Sequence, residues 1–402
     1  RDGMRFTNIA DIGTGTGLLA FAALKLWPGA KGIATDIDPI AIDVTRDSIG
    51  AYIDLEGDLV EGLTVGLAGR YESYSDFGDT VNGKVSARYE FTPDLAIRGT
   101  ASTGFKAPAL QQQFFTYTST NAVVVGGGVQ LIEVGTFPVD SPVARAIGSR
   151  PLEPEESLNY SLGLVFSRGA FEVTVDAYRI ELDNRIVLSE NLPNNNTPAA
   201  TATAITDLLR PFGVSAARFF INGVDTVTEG VDVVARYRLD AEDAGRFDFT
   251  LAANLNKTEV TRTPDLPAIT TLPSPAFLFD RGNRLTFEEA TPEQKIVGSV
   301  DWNRDDDWGA TIKFTSYDSV LVPNNTASFD FETGDAVLWD VEGRYRAPFG
   351  VGLALGVQNV FDVYPQFTPG VLNAPTGSVG FPSFSPFGFN GRFLYARLSY
   401  GW

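Results

Sequence analysis

From residue 51 to the end of the chain, apolar and polar residues alternate with a period of two. Leu63, Val65, Leu67, Gly69 and Tyr71 fall on one face, and Thr64, Gly66, Ala68, Arg70 and Glu72 on the other. The same alternation recurs in Val231-Val233-Ala235-Tyr237-Leu239, in Ile296-Gly298-Val300-Trp302 and in Trp339-Val341-Gly343-Tyr345. In each case one face is apolar, with aromatics near the strand ends, and the other is charged or small. The pattern predicts about 13 strands, starting near residues 51, 62, 80, 94, 157, 170, 226, 246, 294, 308, 336, 349 and 391.

Alternation alone also fits a soluble β-sandwich with one solvated face. The connections favour a different architecture. Short turns at 58–61, 92–94, 167–169, 240–245, 304–307 and 347–350 alternate with longer links near 75–79, 107–156, 183–225, 258–293, 319–335 and 363–390. Short turns on one rim and long loops on the other are the arrangement of an antiparallel outer-membrane β-barrel. The last strand agrees, since Leu394, Ala396, Leu398, Tyr400 and Trp402 make an apolar face ending in an aromatic residue. That ending resembles the signal by which outer-membrane proteins engage the barrel assembly machinery. One strand is irregular: Phe171, Val173 and Val175 share a parity, whereas Tyr178, Ile180 and Leu182 take the other. A bulge, or emergence of the strand above the bilayer, would explain it.

The first 50 residues have another character. Asn8 to Asp11 reads as a strand end, followed by the turn Gly13-Thr14-Gly15-Thr16-Gly17 and an apolar helix ending at Trp27-Pro28-Gly29. A second strand, Gly32 to Thr35, runs into Asp36-Ile37-Asp38-Pro39, where Asp38 can cap a helix with proline at its first position. The predicted order is β-α-β-α, a Rossmann-like piece. Small residues in such a turn let backbone amides approach a ligand, and an acidic residue about 20 positions on can accept from ribose hydroxyls.

Composition narrows the chemistry. The chain has 402 residues with 31 Lys+Arg against 50 Asp+Glu, a formal net charge of -19, which argues against nucleic acid as a partner. It has no Cys and no His, so disulfides, thiol nucleophiles, imidazole bases and the usual zinc ligands are excluded together. No paired-carboxylate or serine-centred constellation stands out, so no catalytic or metal-binding residue is assigned and no enzyme activity is expected. Asp305, Asp306 and Asp307 read as solvated turn residues rather than calcium ligands. Asp340, Glu342, Arg344 and Arg346 are expected to face inward as a hydrated cross-strand network.

Several segments carry a family resemblance. Ser102-Thr103-Gly104-Phe105-Lys106-Ala107-Pro108, Leu152-Glu153-Pro154-Glu155-Glu156-Ser157, Tyr178-Arg179-Ile180 with Asn184-Arg185-Ile186, Glu229-Gly230-Val231-Asp232 and Val357-Gln358-Asn359-Val360-Phe361-Asp362-Val363-Tyr364 resemble, in order, motifs of the TonB-dependent receptors. The resemblance implies a bacterial outer-membrane barrel of 22 strands, about 13 of them present here, that takes up a scarce large solute. Ferric siderophores, cobalamin and oligosaccharides are the implied solute classes, and the TonB complex and outer-membrane lipid the implied partners. No plug, TonB-contact segment or signal peptide is recognised, so the 402 residues are not expected to transport by themselves. The segments Asp11-Ile12-Gly13-Thr14-Gly15-Thr16-Gly17 and Ala34-Thr35-Asp36-Ile37-Asp38-Pro39 resemble instead S-adenosylmethionine-dependent methyltransferases that modify a ribosomal protein. That resemblance implies a cofactor site made by Asp11, Gly13, Gly15, Gly17 and Asp36. The expected organisation is a methyltransferase-like segment at 1–50 and a receptor β-barrel at 51–402, with an S-adenosylmethionine-dependent protein methyltransferase as the alternative function.

Overall fold

The computed structural model describes residues 8–12, 31–35, 48–75, 77–125, 128–194, 197–264, 272–274, 277–305, 307–348, 350–369, 380–382 and 384–400. Gly13, Gly15, Gly17, Asp36, Asp306 and Trp402 lie outside the described residues, as do the two helices expected before residue 50. Asn8–Ile12 (β1) and Lys31–Thr35 (β2) form a two-stranded parallel pair with Asp11 opposite Ala34.

Thirteen further strands join one antiparallel sheet. In spatial order these are Ser48–Val60 (β3), Leu63–Tyr74 (β4), Gly78–Thr92 (β5), Leu95–Lys106 (β6), Glu155–Arg168 (β9), Phe171–Leu188 (β10), Phe220–Asp240 (β12), Arg246–Arg262 (β13), Gln294–Arg304 (β14), Trp308–Tyr317 (β15), Ala336–Arg346 (β18), Val351–Gln358 (β19) and Phe393–Tyr400 (β20). The intervening numbers belong to small strands in the loops. Among the described residues β3 and β20 do not pair with each other, so the sheet is open. The expected strands are all present, but the link expected near 75–79 is only the three residues 75–77, as short as the turns of the opposite rim.

The two faces separate by chemistry as the period of two requires. One row runs across eight strands through Phe171, Tyr237, Phe249, Val300, Ile312, Val341, Val357 and Leu394, each paired with the next. One residue away, the other face carries Glu172, Arg236, Thr250, Ser299, Lys313 and Asp340 in register. The apolar row is the exposed one: Ile312 is 50% and Leu394 71% accessible, while Glu72 on the opposite face is 7%. Leaving such side chains in water costs about 1.5–3 kcal/mol each, which a soluble sandwich avoids by covering them with a second sheet. Among the described residues no second sheet does so.

The irregular strand is not bulged where its pattern breaks. β10 pairs without interruption from Phe171 to Asp183 against β9, so Arg179 and Glu181 share the face of Val173, Val175 and Ala177. What changes is the chemistry of the faces. Above Ala177, Val231 and Leu255, the outward side chains become Arg179, Glu229 and Lys257, while Tyr178, Ile180 and Leu182 point inward. Below that level, Val231, Val233, Ala235, Tyr237 and Leu239 mark an outward apolar stretch. It spans about 27 Å along the strand, or roughly 20 Å along the normal at a tilt near 40°. Its lower edge, at the short-turn rim, is aromatic: Phe247 meets Trp302 at 6.5 Å, Trp308 meets Tyr345 at 4.4 Å and Phe166 meets Phe171 at 6.2 Å.

The hydrophobic core lies in the loops of the long-loop rim. Val143, Ala144, Ile147, Leu192, Ile205, Leu209, Ala217, Phe219 and Leu278 are buried together, and Val187, Ile221 and Val224 from the strand ends join them. This cap contains Tyr117–Val125 (β7), Gly128–Thr136 (β8) and Ala216–Arg218 (β11) as a small sheet, in which β8 and β11 run parallel. Four helices accompany it: Leu110–Phe114 (α1), Pro142–Ile147 (α2), Ala199–Leu209 (α3) and Arg281–Glu288 (α4). α3 buries Thr201, Ile205 and Leu209, a spacing of four that keeps them on one helical face. Leu321–Val322 (β16) and Phe331–Glu332 (β17) make a further small pair.

Candidate functional site

Three of the motif segments meet where the cap joins the barrel. β10 carries an irregularity between Leu182 and Ile186 against β12, with Asn184 at φ 54°. An extra residue in a ladder frees backbone amides that must find other acceptors. The Asn184 amide donates to Asp225 Oδ1 at 2.9 Å, and the Ile186 amide to Glu155 Oε1 at 2.8 Å. Glu155 also takes Lys106 Nζ at 3.1 Å, so the ends of β6, β9 and β10 are tied by one buried carboxylate. Asn222 reaches the carbonyls of Glu153 and Asn184 at 2.8 and 2.7 Å and accepts from the Glu153 amide at 2.7 Å. Arg262 grips Asp225 with two bonds, of 2.5 and 2.7 Å. Around this joint lies a polar cavity of about 220 Å³ lined by Arg150, Glu153, Asn184, Asn222 and Arg262.

The remaining motifs are structural staples near the same end of the sheet. Asn359, at φ 50°, donates to the Val363 carbonyl at 2.8 Å and accepts from its amide at 2.9 Å. Asp362 holds the Arg392 amide at 2.7 Å, which fastens the turn after β19 to the approach of β20. Gly230 leaves room for the Tyr178 ring, since an added Cβ would crowd that ring and sit 2.8 Å from the Leu255 carbonyl.

The face opposite the apolar row carries ion pairs at Asp340, Glu342 and Arg344, as expected of the inward charges. Arg344 donates to Asp301 at 2.8 Å and lies 3.5 Å from Glu342, which also accepts from the Tyr395 hydroxyl at 2.7 Å. Lys313 reaches Asp340 at 3.3 Å. Arg98 binds Asp176 bidentately at 3.0 and 2.7 Å, reaching across Gly163, which offers no side chain to obstruct it. Arg346 has its amide on the Asp307 carbonyl at 2.7 Å, part of the tight turn in which Asp305 takes φ 54°. Among the described residues no group of three acidic, His or Cys side chains could hold a metal ion.

A cluster in the loops escaped sequence reasoning. Glu190 lies half-buried beside Asp280 and accepts from Asn283 Nδ2 at 2.7 Å; burial, then the Asp280 charge, push its carboxyl up to about 7. Nearby, Arg281 binds Asp330 at 3.0 and 2.6 Å and holds that carboxyl below its ordinary value. The partners come from three separate loops, so spacing in the chain carries no sign of them. The sequence does carry one local signal, Asp280 ahead of α4, whose side chain caps the helix through the Arg281 amide at 2.6 Å.

Of the residues assigned to a cofactor, Asp11 lies in β1 and the other four lie outside the described residues.

A family profile described as TonB dependent receptor-like, beta-barrel matches residues 11–360. The chain belongs to that family. A ferric enterobactin receptor, PirA, of Pseudomonas aeruginosa is 22% identical over 309 residues, covering 75% of this chain and 34% of the relative. In structure, the ferric enterobactin receptor PfeA of the same organism superposes with a TM-score of 0.56 at 17% identity, covering 88% of this chain and 44% of that one. The chain thus spans less than half the length of these receptors, whose matched structure shares its barrel fold. A ribosomal-protein methyltransferase of Sinorhizobium fredii is 42% identical over 69 residues, which is 17% of this chain and 22% of the relative. The bulk of the chain is therefore receptor-like, and this methyltransferase match covers a sixth of it.

Proposed function

We propose that residues 51–402 form the C-terminal β-barrel portion of an outer-membrane TonB-dependent receptor for a scarce large solute, a ferric siderophore before cobalamin or an oligosaccharide. The observation that carries this is the outward apolar band, which swaps polarity in register on β10, β12 and β13 and is bordered by aromatics below. A sheet with its apolar face outward and ions inward suits lipid outside and an aqueous lumen inside. The choice of siderophore rests on the matched receptors, two of which bear ferric enterobactin in their names. The partners would be outer-membrane lipid, the barrel assembly machinery through the last strand, and the TonB complex.

Transport would need more strands than these. With 13 alternating strands, β3 and β20 run the same way, so direct closure would set them side by side in parallel. Unpaired edges in hydrocarbon cost several kcal/mol per exposed backbone group. The protein should fractionate with outer membranes and migrate differently on gels before and after heating; recovery as a water-soluble, protease-resistant monomer would overturn the reading.

A second reading attaches to residues 1–50 alone, favoured by the parallel pairing of β1 with β2 and the 42% identical methyltransferase. In it, Asp11, Gly13, Gly15, Gly17 and Asp36 bind S-adenosylmethionine. Calorimetric titration decides it: saturable binding abolished by Asp36→Ala supports a cofactor site, and absence of heat removes it.

A further inference from the structure

Both faces of the sheet run unchanged up to its free edges. Among the described residues β3 pairs with β4 alone at one edge, and β20 with β19 alone at the other. On β3 the outward row is Ala51, Ile53 and Leu55, in register with Tyr71, Gly69 and Leu67, and Ile53 and Leu55 are exposed. One residue away, Asp54, Glu56 and Asp58 face inward opposite Ala68, Gly66 and Thr64. Asp58 accepts from the Thr64 hydroxyl at 2.6 Å, whereas Asp54 and Glu56 have no hydrogen-bonding or ionic partner among the described residues. On the two neighbouring strands Arg70 and Arg88 are paired with Glu72 and Glu90. Lys84 stands in the row of Asp54 but two strands away, across Ala68, and makes no ion pair with it. The inner side of this edge therefore ends in two uncompensated carboxylates. On β20 the inward charge is instead Arg397, with Glu342 at 3.5 Å.

We propose that the β3 edge is the docking surface for a β-segment of another chain, with an odd number of membrane-spanning strands. The strand laid against β3 runs antiparallel to it, turns apolar residues outward and sets Lys or Arg inward against Asp54 and Glu56. Strand direction fixes the odd number. β3 and β20 run the same way, so all pairings between them are antiparallel only when an odd number of strands intervenes. The need for an occupant comes from the backbone, because amides and carbonyls along an open edge find no partner in hydrocarbon. The strands β1 and β2 cannot supply it: each has five residues, against the roughly 9–11 that a membrane strand needs, and they pair with each other. A second copy of this chain fits poorly, since β3 against β3 sets acid against acid, and β20 against β3 in one membrane is parallel. The proposal rests on the barrel reading of residues 51–402, which gives the edge its lipid surroundings.

Two fluorescent peptides of alternating Leu and Thr, matched to the 13 residues of β3, serve as probes; two inward positions are Lys in one and Glu in the other. They are added to the intact protein in detergent at physiological ionic strength, where the net charge of -19 is screened. By fluorescence anisotropy the Lys peptide should bind about tenfold more tightly. In the double variant Asp54→Lys, Glu56→Lys the preference should reverse, which neither apolar association nor the overall charge would bring about. The sequence holds no Cys, so Ala51→Cys reports orientation: it should form a disulfide with a Lys peptide bearing Cys at its C-terminal end and not at its N-terminal end. Equal binding of the two peptides, a preference that survives charge reversal, or linkage to the N-terminal end would overturn the docking surface. Gel migration of the same sample separates this failure from that of the barrel reading. A heat-modifiable protein without the preference loses the docking surface alone, and a water-soluble monomer loses both.

Discussion

Single positions in this sheet are chosen by which face they occupy. Leu355 is 56% exposed on the apolar face, and Asp340 lies on the ion-lined face opposite. If the outward face meets lipid, Leu355→Arg should cost roughly 2–4 kcal/mol at mid-bilayer, whereas Asp340→Asn should cost about 1 kcal/mol or less. Urea unfolding in lipid vesicles would measure both, and equal tolerance would contradict the assignment of faces. Gly230 obeys a different constraint, because one neighbour of an added methyl is the Leu255 carbonyl, a backbone atom with little freedom to move. Gly230→Ala should therefore destabilise by about 1–3 kcal/mol, and the loss should shrink when Tyr178 is also truncated to Ala. A double-mutant cycle reads that coupling.

At the scale of elements, the motif segments turn out to be joinery. Glu155 was recognisable as part of a strand-entry motif, yet its role comes from the bulge of β10, whose Ile186 amide has no ladder partner and uses Glu155 instead. Glu155→Ala should leave that amide unsatisfied and cost about 1–3 kcal/mol, while Glu155→Gln, which keeps an oxygen in place, should cost less. Exchange at the Ile186 amide would report it directly. The strand starts and the alternation of turn lengths were legible beforehand because a pleated strand exposes its pattern at every second residue. The cap elements were not: α2, α3 and β11 bury apolar residues against partners tens of positions away, and such contacts leave no period in the sequence.

The whole molecule joins two folding problems with different solvents. The barrel turns its apolar residues outward and needs a nonpolar surrounding, whereas the cap gathers Phe219, Leu192, Ile205 and Leu209 inward in the manner of a water-soluble core. Phe219→Ala should remove about 3–5 kcal/mol from the cap. Because the row of Arg179, Glu229 and Lys257 separates that core from the apolar band, the barrel should keep its heat-modifiable migration while cap segments 137–150 and 189–219 lose exchange protection. Loss of both together would show a single cooperative unit.

The alternation of the chain by itself determined the strands, the face each side chain takes and the rim on which the large loops lie, since these follow from local geometry repeated along the backbone. The break at Tyr178 shows the limit. From sequence it was either a bulge or an exit from the bilayer, and only the unbroken pairing of β10 with β9 and β12 decided that the register continues while the surroundings change. Tertiary structure likewise decided the Glu155 joint, the cap core and the company Glu190 keeps, because a buried carboxyl takes its behaviour from neighbours that the chain brings together only on folding.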